Sequence, residues 1–488
     1  MGGVVAAGHP LTAAAGADVL RAGGNAVDAA VAAVLTSVVV EPMMTGLGGG
    51  GYLMVAPPDA GPVLLDFFVE APGRGADPAD RAPLRTADVY FGDVPQAFGV
   101  GAASCAVYGV PAGLAAAVDG FGTVPLAELA SPAAALARDG VRLTEQQAGM
   151  YALLAPILGS DPVAAATFLV DGAPPAAGSV MRDPELGDAL ERLGTEGPAP
   201  FYTGDIAGRV SDAVLTGGGA LTRADLAAYR VVERDPVRMP YRDREVVTNP
   251  PPSAGGVLLA YALALLDSTA GPPDALELVR AMETAQDARD AAFFAGLPTE
   301  GFGPAFLASR VGSTTHISVL DGDGWAASVT CSNGEGSGVL VPGTGLHLNN
   351  MLGEQDLSPL GFFTHPPGRR LPSMMAPTVV RRNGEVELVL GSAGANRIRS
   401  ALLQVIVNDV DLGLPVQAAV DAPRLHAEDA VVHIEPGIDG AALAAAGHVV
   451  SRFRGRHTFF GGVQAVRRRD GVLAGGGDPR RGGAVVYA

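Results

Sequence analysis

The chain has 488 residues, of which 48% are hydrophobic, and this is enough to bury a large core. Its net charge of −18 argues against a nucleic acid partner, because phosphate binding needs a basic surface. No lysine occurs in the sequence, which excludes Schiff-base enzymes, Ser-Lys amidases and P-loop nucleotide hydrolases.

Apolar segments and cysteines narrow the class of protein further. No run reaches the roughly 18–20 apolar residues of a membrane helix. The N-terminus lacks the basic and apolar regions of a signal peptide, so we expect no membrane partner and a cytoplasmic location. Cys105 and Cys331 form neither a disulfide framework nor a metal-binding spacing, and no cofactor is predicted.

The N-terminal part of the chain is predicted to begin with two helices and two short strands. Apolar spacing predicts helices over 11–22 and 25–38, separated by Gly23-Gly24, and strands over 52–56 and 62–67. From about residue 111 the pattern is largely helical, with a strand pair over 239–247. The predicted helices here cover 112–119, 132–138, 183–193, 204–215, 223–229, 256–266 and 274–292.

After residue 314 the pattern changes to strands. Apolar and polar residues alternate over 314–320, 325–330, 377–381 and 385–390, and a predicted helix over 396–410 precedes further strands. Strands preceded and followed by helices predict stacked sheets that are covered by helices on both outer sides.

A glycine-rich segment over residues 46–51 contains a formal G-x-G-x-x-G pattern. A dinucleotide-binding fingerprint needs a strand before it and a helix after it. Here the order is reversed, so we interpret the segment as a tight backbone turn close to other chain segments and near the active site.

The dipeptide Ser313-Thr314 is the strongest functional signal, because it opens a strand after a Gly-, Ser- and Pro-rich approach. A threonine hydroxyl there can attack the preceding carbonyl, shift the acyl group from N to O, and release itself by hydrolysis. Thr314 would then carry an α-amine with a pKa of about 7.7–8.0, able to act as general base for its own hydroxyl. The alternative is an ordinary strand.

Other short polar segments have two interpretations each. The turn over 391–396, between a predicted strand and helix, exposes backbone N–H groups that could hold an oxyanion, or it is a plain turn. Residues 332–335 and 349–354 could bind a charged headgroup or satisfy their own backbone. His316 and His426 are predicted to be architectural.

These motifs, in this order, resemble the γ-glutamyltransferase family of N-terminal-nucleophile hydrolases over nearly the whole chain. The motifs that carry the resemblance are Arg21-Ala22-Gly23-Gly24-Asn25-Ala26-Val27-Asp28-Ala29-Ala30, Gly46-Leu47-Gly48-Gly49-Gly50, Tyr202-Thr203-Gly204, Asn249-Pro250-Pro251-Pro252-Ser253-Ala254-Gly255-Gly256, Thr314-Thr315-His316, Leu348-Asn349-Asn350, Gly391-Ser392-Ala393-Gly394 and Ala422-Pro423-Arg424-Leu425-His426. The resemblance implies an α+β fold, a four-layer αββα sandwich. It also implies self-cleavage between Ser313 and Thr314 into a large subunit, 1–313, and a small catalytic subunit, 314–488, which form one intertwined domain.

By position, the resemblance assigns the catalytic roles to four residues. Thr314 matches the nucleophile, and Ser332 matches a second hydroxyl that hydrogen-bonds the nucleophile and aids maturation. Gly394 and Ala395 match the pair of backbone amides that hold the oxyanion. Ala395 replaces a glycine, and we expect this to cost little because only its N–H is used.

The substrate-binding positions depart from the family pattern. Ser373 matches a serine that contacts the substrate α-carboxylate, and Glu354 matches the acidic residue that pairs with the α-amino group. Phe68 stands where the family has a glutamyl-binding arginine, and Met374 where it has a second serine. Asn333 lies one residue before the place of an asparagine that contacts the α-amino group.

Three functions remain open on this basis. The resemblance implies a hydrolase or transferase that passes the acyl group of a small γ-glutamyl compound or related amide to water or an amine acceptor. It would work as a heterodimer of the two fragments, alone or as (αβ)2. A second option is an acylase-type hydrolase of a non-glutamyl metabolite, which Phe68 and Met374 motivate. A third is an uncleaved, inactive homologue that serves as a scaffold.

Overall fold

The computed structural model describes residues 2–91, 94–269, 271–287, 315–358, 361–428 and 431–488. The helices of these segments are α1 Pro10–Arg21, α2 Ala26–Val40, α3 Val110–Phe121, α4 Leu126–Asp139, α5 Glu145–Leu158, α6 Pro162–Phe168, α7 Pro184–Glu196, α8 Ala199–Tyr202, α9 Asp205–Thr216, α10 Arg223–Ala228, α11 Gly255–Asp267, α12 Ala275–Asp287, α13 Arg397–Val410, α14 Val416–Asp421 and α15 Gly440–Ala445. Among these helices, none combines the length and apolar character needed to cross a bilayer.

The strands form two large antiparallel sheets and several small ones. They are β1 Gly3–Ala7, β2 Gly50–Ala56, β3 Val63–Phe67, β4 Arg85–Phe91, β5 Val94–Val100, β6 Val141–Arg142, β7 Val180–Met181, β8 Val232–Arg234, β9 Val237–Tyr241, β10 Arg244–Thr248, β11 Thr315–Asp321, β12 Ala326–Ser332, β13 Leu340–Val341, β14 Leu346–His347, β15 Thr378–Arg382, β16 Glu385–Ala393, β17 Leu425–Glu428, β18 Val431–Ile434, β19 Val449–Arg452, β20 Gly462–Arg469, β21 Val472–Gly477 and β22 Ala484–Tyr487. The seven-stranded sheet has the order β22-β1-β11-β12-β2-β3-β8, and the six-stranded sheet has the order β21-β20-β16-β15-β10-β9.

The two large sheets pack face to face, with helices on both outer sides. One apolar cluster joins their inner faces, with Val4 and Met54 from the seven-stranded sheet and Val379 and Val389 from the other. A second cluster packs α1, α2, α3, α4, α7 and α9 on the outer face of the seven-stranded sheet. A third packs α11, α12 and α13 on the six-stranded sheet. The layers are therefore αββα, which confirms the predicted fold class.

Strand β11 shows how the sequence pattern sets these layers. Ile317 and Val319 belong to the cluster beneath the helices, whereas Leu320 belongs to the cluster between the sheets. His316 and Ser318 share the inner face with Leu320, because alternate residues of a strand point to opposite faces. His316, the second residue of β11, therefore faces the interior of the sandwich.

Several elements differ from the sequence prediction. Strand β1, the β4-β5 hairpin and helices α5 and α6 were not predicted, and α4 begins at Leu126 with Pro132 in its interior. All five residues of β1 are buried, so the strand shows no alternation. The last part of the helix predicted over 274–292 lies outside the described residues.

Candidate active site

The predicted nucleophile borders the described structure at the start of β11. Thr315 is the register partner of Cys331 in β12, and Ser332 is the register partner of Gly50 in β2. Ser313 and Thr314 lie outside the described residues, so the cleavage site and the nucleophile stay predictions. The surrounding residues define the rest of the candidate site.

The turn between β16 and α13 offers two unpartnered backbone amides. Within the described chain, neither the N–H of Gly394 nor that of Ala395 donates a hydrogen bond, whereas their carbonyls each accept from a backbone N–H of α13 at 3.0 Å. Adjacent N–H groups at a helix start attract negative charge. The turn thus has the donors that an oxyanion site requires.

The backbone of this turn is strained and closely packed. Gly394 has a φ of 124°, and a Cβ placed on it would lie 2.8 Å from the Cα of Gly461. Ala395 has a φ of 52°, in the left-handed region where a Cβ costs about 1–2 kcal/mol. The alanine at 395 therefore has a conformational cost that the sequence did not indicate.

A buried polar network lies under the first turn of α13. The amide of Asn396 donates to Glu428 Oε1 at 2.7 Å, and His426 Nε2 lies 3.2 Å from Glu428 Oε2. Although burial opposes ionisation, His426 and nearby arginines hold the pKa of Glu428 at about 2. Burial lowers the pKa of His426 to about 4, so the ring is neutral near pH 7 and its Nδ1 accepts from the Ser400 hydroxyl at 2.8 Å. The network connects α13 to β17 and gives His426 the architectural surroundings predicted for it.

His316 lies in a second buried network, of hydroxyl groups. Its Nδ1 is 2.8 Å from Thr330 Oγ1, and its Nε2 is 2.9 Å from Ser318 Oγ. Burial lowers its pKa to about 3, so it is a poor general base near neutral pH. The described residues contain no group of three or more His, Cys, Asp or Glu side chains suited to a metal ion.

The structure brings the loop after β12 together with Glu354. Ser332 Oγ accepts from the N–H of Gly334 at 2.9 Å, and Asn350 Oδ1 accepts from the N–H of Glu335 at 3.0 Å. Gly334 has a φ of 65°, and any side chain there would collide with Asn350 and the Glu354 carboxylate. Glu354 and Ser332 therefore lie on two sides of one tight polar turn.

Asn333 has a structural contact in this loop. It is buried, and its amide donates to the His347 carbonyl at 3.1 Å, while its Oδ1 has no hydrogen-bond partner in the described chain. Its predicted contact with a substrate amino group stays a prediction, with Oδ1 as the atom available for it.

Ser373 and Met374 lie beside the turn that precedes α11. Ser373 is buried, its carbonyl accepts from Ala254 at 2.8 Å, and its Oγ accepts from Met375 at 3.1 Å. Met374 belongs to the apolar cluster between the six-stranded sheet and its helices. The predicted substrate contacts of both residues stay predictions.

Phe68 is buried between the two large sheets. Its side chain is 1% exposed, and its ring stacks on that of Tyr52 with the ring centroids 5.4 Å apart. Phe68 belongs to the apolar cluster between the two sheets, whereas Met374 belongs to the cluster between the six-stranded sheet and its helices. Arg370 donates to the Phe68 carbonyl at 2.5 Å, but its guanidinium is paired with Asp66 at 3.3 Å and Glu70 at 3.5 Å. The positive charge of Arg370 is therefore already neutralised by Asp66 and Glu70.

A cavity of about 440 Å³ adjoins the turn at Gly394. Its lining includes His316, Ala393, Glu41 and Arg481, with several apolar side chains. Sequence reasoning missed Glu41 and Arg481, because no motif marks them and distant parts of the chain bring them together. The sequence signal that could have drawn attention to Arg481 is the pair of adjacent arginines in Asp478-Pro479-Arg480-Arg481.

Comparisons with known proteins agree on one family. The sequence model of the family described as Gamma-glutamyltranspeptidase matches residues 12–294 and 281–488. The chain is 34% identical to the Acylase ACY 1 proenzyme of Pseudomonas sp. (strain SE83), over 99% of this chain and 93% of that protein. It is 30% identical to the Glutathione hydrolase proenzyme of Escherichia coli (strain K12), over 87% and 80% respectively.

Solved structures give the same result. Cephalosporin acylase from Bacillus halodurans superposes with a TM-score of 0.86 at 28% identity, over 99% of this chain and 95% of that chain. Helicobacter pylori gamma-glutamyltranspeptidase gives a TM-score of 0.51 at 26% identity, over 61% of this chain and 89% of that chain.

Proposed function

The chain belongs to the gamma-glutamyltranspeptidase family, and we propose that it is a self-processing amide hydrolase of the acylase type. Maturation would cut the chain between Ser313 and Thr314. The curated relatives include chains described as proenzymes, which is consistent with such a step.

The proposed mechanism combines Thr314 with the turn at Gly394 and with Ser332. Thr314 Oγ attacks the amide carbonyl, and the α-amine freed by maturation takes the hydroxyl proton and gives it to the leaving amine. The N–H groups of Gly394 and Ala395 stabilise the oxyanion, and Ser332 supplies the second hydroxyl. Water then attacks the acyl-enzyme and releases the acid. Loss of one oxyanion donor typically lowers kcat by about 10²–10³-fold.

The proposal of an acylase-type activity rests on the environment of Phe68. The position at which the resemblance expects a carboxylate-binding arginine holds a buried ring stacked on Tyr52. Arg370 donates a hydrogen bond to the Phe68 carbonyl, and Asp66 and Glu70 already pair with its guanidinium. A glutamyl headgroup bound in the way the resemblance implies would therefore lack its main cationic partner.

Hydrolysis or transfer of a γ-glutamyl group is the second candidate. It is favoured by Glu354, whose carboxylate lies beside the turn at Gly334 and could receive a substrate ammonium group. The acceptor would then be water or an amine.

Intact-mass spectrometry tests the maturation step. We expect the purified wild type to contain fragments 1–313 and 314–488, and Thr314→Ala to remain one chain. A single intact wild-type chain without amidase activity would instead indicate the scaffold function.

A pair of chromogenic amides tests the substrate class. We expect the wild type to hydrolyse simple acyl p-nitroanilides faster than γ-glutamyl p-nitroanilide, measured as kcat/KM. Preferred turnover of the γ-glutamyl compound would favour the second candidate.

A further inference from the structure

The proposed cut between Ser313 and Thr314 needs a proton acceptor that the mature mechanism does not supply. Before the cut, the nitrogen of Thr314 belongs to a peptide bond, whose resonance leaves it without basic character. The α-amine that serves as base in the mature enzyme appears only when this bond breaks. A neighbouring acid–base group would accelerate the cut by accepting the hydroxyl proton and returning it to the departing nitrogen.

Glu41 lies on the cavity wall, close to the strand that follows the cut. Its Oε1 atom is 2.6 Å from the place of a Cβ on Gly8, the residue after β1, and β1 pairs with β11. His316 of β11 lines the same cavity as Glu41. Because Thr314 precedes His316 by only two residues, the covalent chain keeps their Cα atoms within about 7 Å of each other. The bond that is cut therefore cannot lie far from the wall that holds Glu41.

The carboxyl group of Glu41 has one side-chain partner in the described chain, and that partner is uncharged. The Thr12 hydroxyl donates to Oε2 at 2.9 Å, and no described Arg or His nitrogen lies within ion-pair distance of either oxygen. Burial raises the pKa of Glu41 to about 7, although the hydrogen bond from Thr12 opposes the shift. Glu41 is therefore present in both protonation states near neutral pH, which suits a group that first accepts and then donates a proton.

The two histidines on the same wall are poor candidates for this role. Burial lowers the pKa of His9, and its Nδ1 accepts from a backbone N–H of α1 at 3.2 Å. The neutral ring of His9 therefore carries its proton on Nε2 and can only donate there. Both ring nitrogens of His316 lie within 2.9 Å of hydroxyl oxygens, and burial lowers its pKa to about 3. Neither ring offers a free basic nitrogen at neutral pH.

The other titratable groups of the wall either keep their protons or lie in solvent. They are Glu145, Tyr151 and Arg481. Burial raises the pKa of Tyr151 above its ordinary value, and Arg481 keeps a pKa of about 10 although burial lowers it, so both are protonated near pH 7. Arg481 also lies at the far end of the wall, with Nη2 3.6 Å from the place of a Cβ on Gly394. Glu145 is exposed in the first turn of α5.

We propose that Glu41 is the acid–base group of self-cleavage. Its carboxylate takes the proton of the Thr314 hydroxyl as Oγ bonds to the Ser313 carbonyl carbon. The resulting carboxylic acid returns this proton to the Thr314 nitrogen as the C–N bond breaks, which leaves an ester at Oγ and a free α-amine. Water then hydrolyses the ester, gives Ser313 a terminal carboxyl group and restores the Thr314 hydroxyl. This inference rests on the proposed function, since it assumes a cut at this bond.

Cleavage of freshly made precursor, followed as a function of pH, tests the proposal. The full chain is labelled in a brief pulse of cell-free translation, diluted into buffers on both sides of pH 7, and sampled over time on denaturing gels. We expect the wild-type rate to fall about tenfold per pH unit below about pH 7, where Glu41 binds a proton, and to level off above it. Glu41→Gln should be cut about 10²–10⁴-fold more slowly at pH 8 and should show no inflection near pH 7.

Three further variants separate proton transfer from folding. Glu41→Asp keeps a carboxyl group and should recover part of the rate. Glu145→Gln removes the other carboxylate of the wall and should keep the wild-type inflection and a rate within about 3-fold of the wild type. Thr12→Val keeps Glu41 but removes the hydroxyl that opposes its pKa shift, so the inflection should move upward by about 0.5–1 on the pH scale.

The outcomes distinguish this inference from the proposed function. Equal cleavage rates in Glu41→Gln and the wild type would overturn the role of Glu41 and leave the proposed function intact. An inflection that persists in a slow Glu41→Gln, or that stays in place in Thr12→Val, would overturn the role too, because Glu41 would then act through folding. A wild-type chain that stays whole at every pH would contradict both the proposed function and the role of Glu41.

Discussion

At the scale of single residues, the surroundings of Phe68 indicate that an arginine at this position would not simply restore γ-glutamyl binding. An arginine at this position would have to replace a ring that is 1% exposed and stacked on Tyr52. Its charge would lie close to Arg370, whose two carboxylate partners are already engaged. In this chain, position 68 therefore offers an arginine neither solvent nor a free carboxylate among the partners of Arg370.

We expect Phe68→Arg to destabilise the protein by at least about 3 kcal/mol, because it buries an uncompensated charge. Phe68→Leu, which keeps an apolar side chain, should cost only about 1–2 kcal/mol. Urea unfolding followed by tryptophan fluorescence measures both changes. A Phe68→Arg variant with wild-type stability and new γ-glutamyl amidase activity would show that the arginine site is still present.

Glu41 lies in the cavity wall, and the charge of its carboxyl group changes near neutral pH. Burial raises the pKa of Glu41 to about 7 from its ordinary value of 4.5, although the Thr12 hydroxyl donates to its carboxylate and opposes the shift. Because the pKa is raised on folding, ionisation of Glu41 opposes the native state, and its unfavourable contribution grows as the pH rises from 4.5 to 7.

We therefore expect Glu41→Gln to be more stable than the wild type by about 2 kcal/mol at pH 8, with the difference vanishing near pH 4.5. Gln can still accept from Thr12, so the hydrogen bond is kept. Urea midpoints at the two pH values measure the effect. Glu145→Gln, at an exposed position on the same cavity, is the matched control and should shift stability by less than about 0.5 kcal/mol. A constant difference at both pH values would rule out this role for Glu41.

At the scale of elements, sequence reasoning succeeded where two faces of an element differ. Strand β11 alternates between a face that packs on helices and a face inside the sandwich, so its pattern was visible. Strand β1 is buried on both faces and has no such pattern. Arg481 lies between β21 and β22, which belong to different sheets. Its position beside Gly394 arises where the chain crosses between sheets, and local periodicity cannot show that.

The network under α13 predicts how the oxyanion turn is held. Removing the Ser400 hydroxyl leaves the buried Nδ1 of neutral His426 without a donor, so Ser400→Ala should cost about 1–3 kcal/mol. Because Asn396 shares Glu428 with His426, we also expect a lower kcat. Ser268→Ala removes an exposed hydroxyl bonded to the Leu265 carbonyl and should cost less than about 0.5 kcal/mol. Equal losses in the two variants would show that the network does not support the turn.

At the scale of the whole molecule, the predicted cut would leave two chains that are interleaved in both sheets. In the seven-stranded sheet, β11 and β12 lie between β1 and β2, and β22 pairs with β1 at the edge. In the six-stranded sheet, β15 pairs with β10. Segments before and after residue 314 thus meet at four strand boundaries. The buried pair of Arg370 with Asp66 adds an ionic contact between the same two segments.

We therefore expect fragments 1–313 and 314–488 to elute together from gel filtration, even in 1 M NaCl. Salt at this concentration screens exposed charges beyond about 3 Å, but it leaves the backbone ladders and the apolar cluster between the sheets intact. Thr314→Ala, which should remain a single chain, provides the reference elution volume, and a denaturing gel of the same fractions reports the cut. Only urea or guanidinium at unfolding concentrations should release the small fragment. If the fragments separate in salt alone, the central strands β11 and β12 cannot both be paired as described, and the cut must lie elsewhere in the chain.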